Sequence, residues 1–168
     1  MRAEGAPIPP PHPAVRREDR TVPAEGSQPA VALRIYTPKA AASAPRPCVY
    51  EIHGGGFMFG PLDMMDARCD AIAANVDAVV VSVDYRLAPE DPFPAGLNDC
   101  YAGLRWTAQN ATSLGIDPKR IAIAGQSAGC EPMAFRTRTS ACTLTPRPSP
   151  HAVICRSCVS GSALAVVP

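Results

Sequence analysis

Ala78-Val-Val-Val-Ser-Val83 is a continuous run rich in β-branched residues. Such a run suits a strand covered on both faces. Val31 to Tyr36 alternates instead, with Val31, Leu33 and Ile35 set against Ala32, Arg34 and Tyr36, the pattern of a half-exposed strand. Cys48–Ile52 and Ile121–Ala124 are short apolar segments, each leading into a glycine-rich turn. The 31–36 and 48–52 strands are expected to pair as a hairpin across the Ala/Pro/Ser-rich stretch from Thr37 to Pro47. Between Pro61 and Asn75, Leu62, Met65, Cys69, Ile72 and Ala73 recur at three- and four-residue steps, so a helix is expected there. Met64 and Met65 both read as core filler. Pro92-Phe-Pro94 opens a second helix that runs to about Ser113. Its inward stripe is Leu97, Tyr101, Leu104 and Ala108, with Trp106 beside it and Gly115 beyond its end. Asp117-Pro118 then turns the chain into the Ile121 strand. Helices alternating with buried strands predict an α/β fold, a mostly parallel sheet covered on both faces. Functional residues then belong at the carboxyl ends of the strands.

Two glycine-rich segments fall at such ends. Gly125-Gln-Ser-Ala-Gly129 follows the Ile121 strand and has the spacing of a nucleophile elbow, a sharp strand-to-helix turn that presents a serine hydroxyl. Side chains two positions before or after Ser127 would collide with its strained backbone, and glycine at 125 and 129 removes both collisions. His53-Gly54-Gly55-Gly56 follows the Cys48 strand. Three consecutive glycines let backbone N–H groups approach a ligand and hold the charge that develops on an attacked ester carbonyl. Either segment alone also fits an ordinary glycine turn; together, in this order, they favour acyl chemistry.

The chain resembles the hormone-sensitive-lipase-like branch of the α/β-hydrolase esterases. The resemblance rests on His53-Gly-Gly-Gly56, Asp84-Tyr-Arg-Leu-Ala-Pro-Glu90, Pro92-Phe-Pro-Ala95 and Gly125-Gln-Ser-Ala-Gly129 in register, and covers roughly Thr21 to Gly129. It implies a carboxylic-ester hydrolase with Ser127 as nucleophile and the N–H groups of Gly55, Gly56 and Ala128 as oxyanion hole. His53, Gly54, Gly125 and Gly129 support those residues, with His53 orienting the glycine loop rather than acting as base. Gln126 stands where the family usually has an acidic residue. Asp84 and Arg86 are expected to form a structural polar pair at the strand end.

The chain has 168 residues, room for one domain with a core. A net charge of +1 gives no reason to expect nucleic acid or an anionic membrane as partner. No apolar run approaches the ~20 residues that span a bilayer, and the first residues lack the apolar stretch of a secretory signal. Seven cysteines, an odd number, read as mostly free thiols of a cytoplasmic protein. A small acyl ester is the expected partner, and no cofactor or metal is expected.

Both ends depart from this pattern. Residues 1–20, Pro-rich and then charged, are expected to be disordered; residues 21–129 form a partial α/β-hydrolase domain; residues 130–168 read as an irregular tail. From Cys130 the composition changes abruptly to Pro, Arg, Ser and Cys, as a change of reading frame would produce. An α/β-hydrolase places its acid and then its histidine after the serine. Here Glu131 and His151 are the only candidates after Ser127. Glu131 lies too near the elbow to serve, and His151 would serve only with the tail folded back over the serine. His151, Cys142 and Cys155-x-x-Cys158 have the residue types of a zinc site but not its spacing. The fold is therefore expected to be incomplete on its C-terminal side, with the sheet edge at Ile121 uncovered and prone to self-association.

Overall fold

The computed structural model describes residues 10–130 and the backbone of residues 162–167. Six strands form one mixed sheet, in spatial order β1 (Val15–Val22), β2 (Val31–Pro38), β4 (Val79–Asp84), β3 (Arg46–Ile52), β5 (Ile116–Gln126) and β6 (Ser162–Val167). β3 runs parallel to β4 and β5; the pairings of β1 with β2, β2 with β4 and β5 with β6 are antiparallel. Helix α1 (Asp66–Val76) links β3 to β4, and helix α2 (Ala95–Gln109) links β4 to β5.

The two helices lie on opposite faces. Cys69 and Ala73 of α1 pack with Met65, Tyr36, Val80 and Val15. Cys100 and Leu104 of α2 pack with Leu33, Ile35, Tyr50, Val81 and Ile123. All five residues Val79–Val83 are buried, as a strand between two covered faces requires.

Several expectations are corrected. The 31–36 and 48–52 segments form no hairpin, because β4, apolar on both faces, lies between them. Residues 15–20 are not disordered. They form most of edge strand β1, whose charges are bound: Arg17 donates to Asp66 and Asp70 of α1, at 2.6 Å each. The second face of β2 is exposed only at Ala32, with Arg34 part-buried. Tyr36 is fully buried and donates to Asp66 Oδ1 at 2.6 Å, and Arg34 is bound by Asp19, Asp63 and Asp66. Met65 is core, but Met64 is half exposed.

On α2 the buried residues are Asp99, Cys100, Ala102, Gly103, Leu104 and Thr107, while Tyr101 and Ala108 face out. The helix approaches the sheet through its small residues. A Cβ at Gly103 would sit 2.3 Å from the Tyr50 hydroxyl, which donates to Cys100 O at 3.0 Å. α2 ends at Gln109, short of Ser113, and Ile116 rather than Ile121 opens β5. The edge of β5 is paired along Ile121–Gln126 by β6, so the edge expected to be uncovered at that strand is covered.

Candidate active site

β3 and β5 are parallel neighbours, with Ile52 opposite Gly125. Their carboxyl ends therefore bring the glycine loop and the serine turn together from widely separated positions in sequence. Gly54 lies against the turn: a Cβ there would sit 2.6 Å from Gln126 O and 3.4 Å from Ser127 Cβ.

Ser127 is exposed and adopts φ +51°, a left-handed conformation that side chains rarely take. It opens a 3-10 turn, Ser127–Cys130, held also by a hydrogen bond from Cys130 Sγ to Gly125 O at 3.3 Å. Glycine is required on both sides, but the collisions differ from those expected. A Cβ at Gly125 would meet Gly129 O at 2.3 Å, and one at Gly129 would meet Ile52 O at 2.2 Å. The neighbouring backbone, not the serine, excludes the side chains.

Within the glycine loop the reasons also differ. Gly55 has φ +120° and faces Phe59 O, which a Cβ would approach to 2.0 Å; Gly56 has open space but φ +62°. Gly55 O accepts from Met58 N at 3.1 Å and Phe59 N at 3.0 Å. The N–H groups of Gly55 and Gly56 meet no acceptor among the described residues.

His53 is fully buried. Its Nδ1 lies 2.7 Å from Gly54 O, a carbonyl that only accepts, so Nδ1 carries the proton and Nε2 the lone pair. Nε2 is buried without a partner among the described residues. Burial pulls the imidazole below its ordinary range. A neutral, enclosed ring bound to its own loop is placed as a support. Burial also raises the carboxyl of Glu51, one Oε of which accepts from Arg68 at 3.0 Å.

Sequence reasoning missed two supports of this loop, Tyr85 and Gly60, and the partner of Arg86, Asp99. Tyr85 OH donates to His53 O at 2.9 Å, and its ring stacks on that of His53 with centroids 4.1 Å apart. Gly60 leaves room for the His53 ring. Arg86 was expected to pair with Asp84; its guanidinium instead meets Asp99 at 2.9 Å and Asp91 at 3.4 Å. The signal for Tyr85 was its place inside the Asp84–Glu90 motif. An open hollow of about 470 Å3 lies elsewhere, near Pro10, Arg17 and Arg34. Carboxylates already bind both of its guanidinium groups, so it presents no free anion site. His151, Cys142, Cys155 and Cys158 lie outside the described residues, as does Glu131.

A profile of the alpha/beta hydrolase fold matches residues 49–158. The chain belongs to that family. The matched range extends past Gly129, where the motif resemblance stops. This α/β-hydrolase is 49% identical over 117 residues to carboxylesterase NlhH of Mycobacterium tuberculosis, covering 70% of the chain and 36% of NlhH. It is 44% identical over 130 residues to esterase LipI of the same species, covering 77% of the chain and 40% of LipI. Among solved structures, a bacterial heroin esterase superposes with TM-score 0.67 at 42% identity, covering 70% of the chain and 37% of that protein. The hyperthermophilic esterase of the archaeon Pyrobaculum calidifontis does so with TM-score 0.63 at 44% identity, covering 71% and 37%. These relatives place the chain in the esterase branch that its motifs resemble. It spans about two fifths of their length. No helix among the described residues is long and apolar enough to cross a membrane.

Proposed function

We propose that the chain carries the nucleophile and oxyanion half of a serine carboxylic-ester hydrolase site. The observation that supports this reading is the contact of Gly54 with the turn of the exposed Ser127, in a loop where the Gly55 and Gly56 N–H groups meet no acceptor among the described residues. Ser127 Oγ would attack the carbonyl of a small acyl ester. The N–H groups of Gly55, Gly56 and Ala128 would hold the oxyanion; the alcohol would leave, and water would release the acid from the acyl-enzyme. His53, neutral and enclosed, is not the base. Glu131 and His151 are the only acid and histidine after Ser127, and neither has the family's placement. Turnover by this chain is therefore slow, since loss of a triad member costs on the order of 10⁴ in kcat. The buried, unpaired thiols of Cys48, Cys69 and Cys100 suit a reducing, cytoplasmic location.

The test is hydrolysis of p-nitrophenyl acetate by the purified chain and by Ser127→Ala. The expected result is a slow rate that the substitution abolishes. A rate equal in both proteins overturns the reading and leaves a non-catalytic chain, the alternative.

A further inference from the structure

We propose that Tyr85 is the positioning residue of the oxyanion loop, acting through His53; the inference rests on the reading of that loop given above. Tyr85 stands one residue beyond β4, beside the carboxyl end of β3, and is buried. From there it holds the loop at two points. Its hydroxyl donates to His53 O at 2.9 Å, and its ring lies under the His53 ring at 4.1 Å and 13°. Phe57, inside the loop, meets the same ring edge-on at 6.5 Å.

The consequence follows from the planarity of the peptide unit. In a trans peptide the carbonyl of one residue and the N–H of the next point in opposite directions, so fixing one aims the other. Tyr85 fixes His53 O directly. By clamping the His53 ring it also fixes Nδ1–H, which holds Gly54 O at 2.7 Å and so aims the Gly55 N–H. The next carbonyl, Gly55 O, is held by the N–H groups of Met58 and Phe59, and this aims the Gly56 N–H. Ala88 N closes the series by donating to Phe57 O at 2.8 Å. Thus the carbonyls of residues 53, 54, 55 and 57 are bound, while the N–H groups of Gly55 and Gly56 meet no acceptor among the described residues. Two further glycines make room for the clamp. A Cβ at Gly60 would sit 2.5 Å from His53 Nδ1, and one at Gly96 would sit 3.1 Å from the Tyr85 ring.

The experiment compares the full chain with Tyr85→Phe, which removes only the hydroxyl, and with Tyr85→Leu, which also removes the stacking ring. Amide hydrogen exchange is measured at Met58 and Phe59, which report the loop, and at Val81 and Ile123, which report the sheet. Steady-state hydrolysis of p-nitrophenyl acetate is measured in parallel. The expected result for Tyr85→Phe is about tenfold faster exchange at Met58 and Phe59 with the sheet amides unchanged. The Ser127-dependent kcat should fall about tenfold at constant KM, the signature of an interaction made in the transition state. Exchange at Met58 and Phe59 that stays as in the parent overturns the proposal. So does exchange that rises equally at Val81 and Ile123, and so does an unchanged kcat where the parent turns over. If the parent shows no Ser127-dependent turnover, the esterase reading fails, while local exchange still decides whether Tyr85 holds the loop. Should Tyr85→Leu fail to fold, Tyr85→Phe decides alone.

Discussion

Ser127 is a non-glycine residue held at φ +51°, in a turn that glycines at 125 and 129 permit. A side chain in that region costs roughly 1–2 kcal/mol, part of which glycine gives back through its extra freedom when unfolded. Ser127→Gly is therefore expected to stabilise the chain by about 0.5–1 kcal/mol, read as a higher denaturant midpoint, while removing any ester hydrolysis. A midpoint unchanged or lowered would mean that the turn is not strained. The need for glycine on either side was legible from spacing. The atom that obstructs Gly129 was not, because Ile52 O comes from a strand 77 residues earlier (129 − 52). Spacing likewise placed His53 as a support but could not show Tyr85 beneath it. Their contact exists only because β3 and β4 are parallel neighbours.

Hydrophobic runs located β3, β4, α1 and the apolar part of β5, since each buries its apolar positions directly. β1 was not visible this way. Its middle residues are charged, and what makes them a strand is their partners: Arg17 reaches Asp66 and Asp70 with a side chain only 12% exposed. Nor was the inward face of α2, where a stripe of large apolar residues was sought. That face carries Asp99, made tolerable by Arg86 and Gln28, and Gly103, made necessary by Tyr50. Because Arg17 ties the edge strand to α1, Arg17→Ala should leave Asp70 without its guanidinium and destabilise the fold by about 3 kcal/mol. Denaturant unfolding measures this. A loss below about 0.5 kcal/mol, the ordinary surface value, would show that the pair contributes little.

For the whole molecule, buried titratable groups give stability a definite pH dependence. His53 is held below the ordinary imidazole value near 6.5, so below that pH the unfolded chain takes up a proton that the folded chain does not. Its contribution is complete above pH 6.5 and is lost as pH falls from there toward the folded value. Glu51 works the other way: burial raises its carboxyl, so stability declines as pH rises from about 4.5 through its folded value. Asp19 and Asp70, both lowered, lose their contributions only below about pH 3.8. On going from pH 7 to pH 5.5 the melting temperature should therefore drop relative to that of His53→Asn, whose side chain does not titrate. Thermal scans across that range give both slopes, and parallel curves would remove His53 as the source.

The order of the strands in space bears on how the protein is made. β4 pairs with β2 and β3, both already synthesised when it emerges, but the other side of β3 waits for β5, some 70 residues after it. A nascent chain completed only through α2 thus has four strands in place and Cys48–Ile52 as a bare edge, open to any extended segment nearby. The partnership that builds the site is among the most non-local in the sheet and forms slowly for that reason. Until β5 docks, the glycine loop faces no serine, so ribosome-bound intermediates carry the exposure to misassembly without the chemistry.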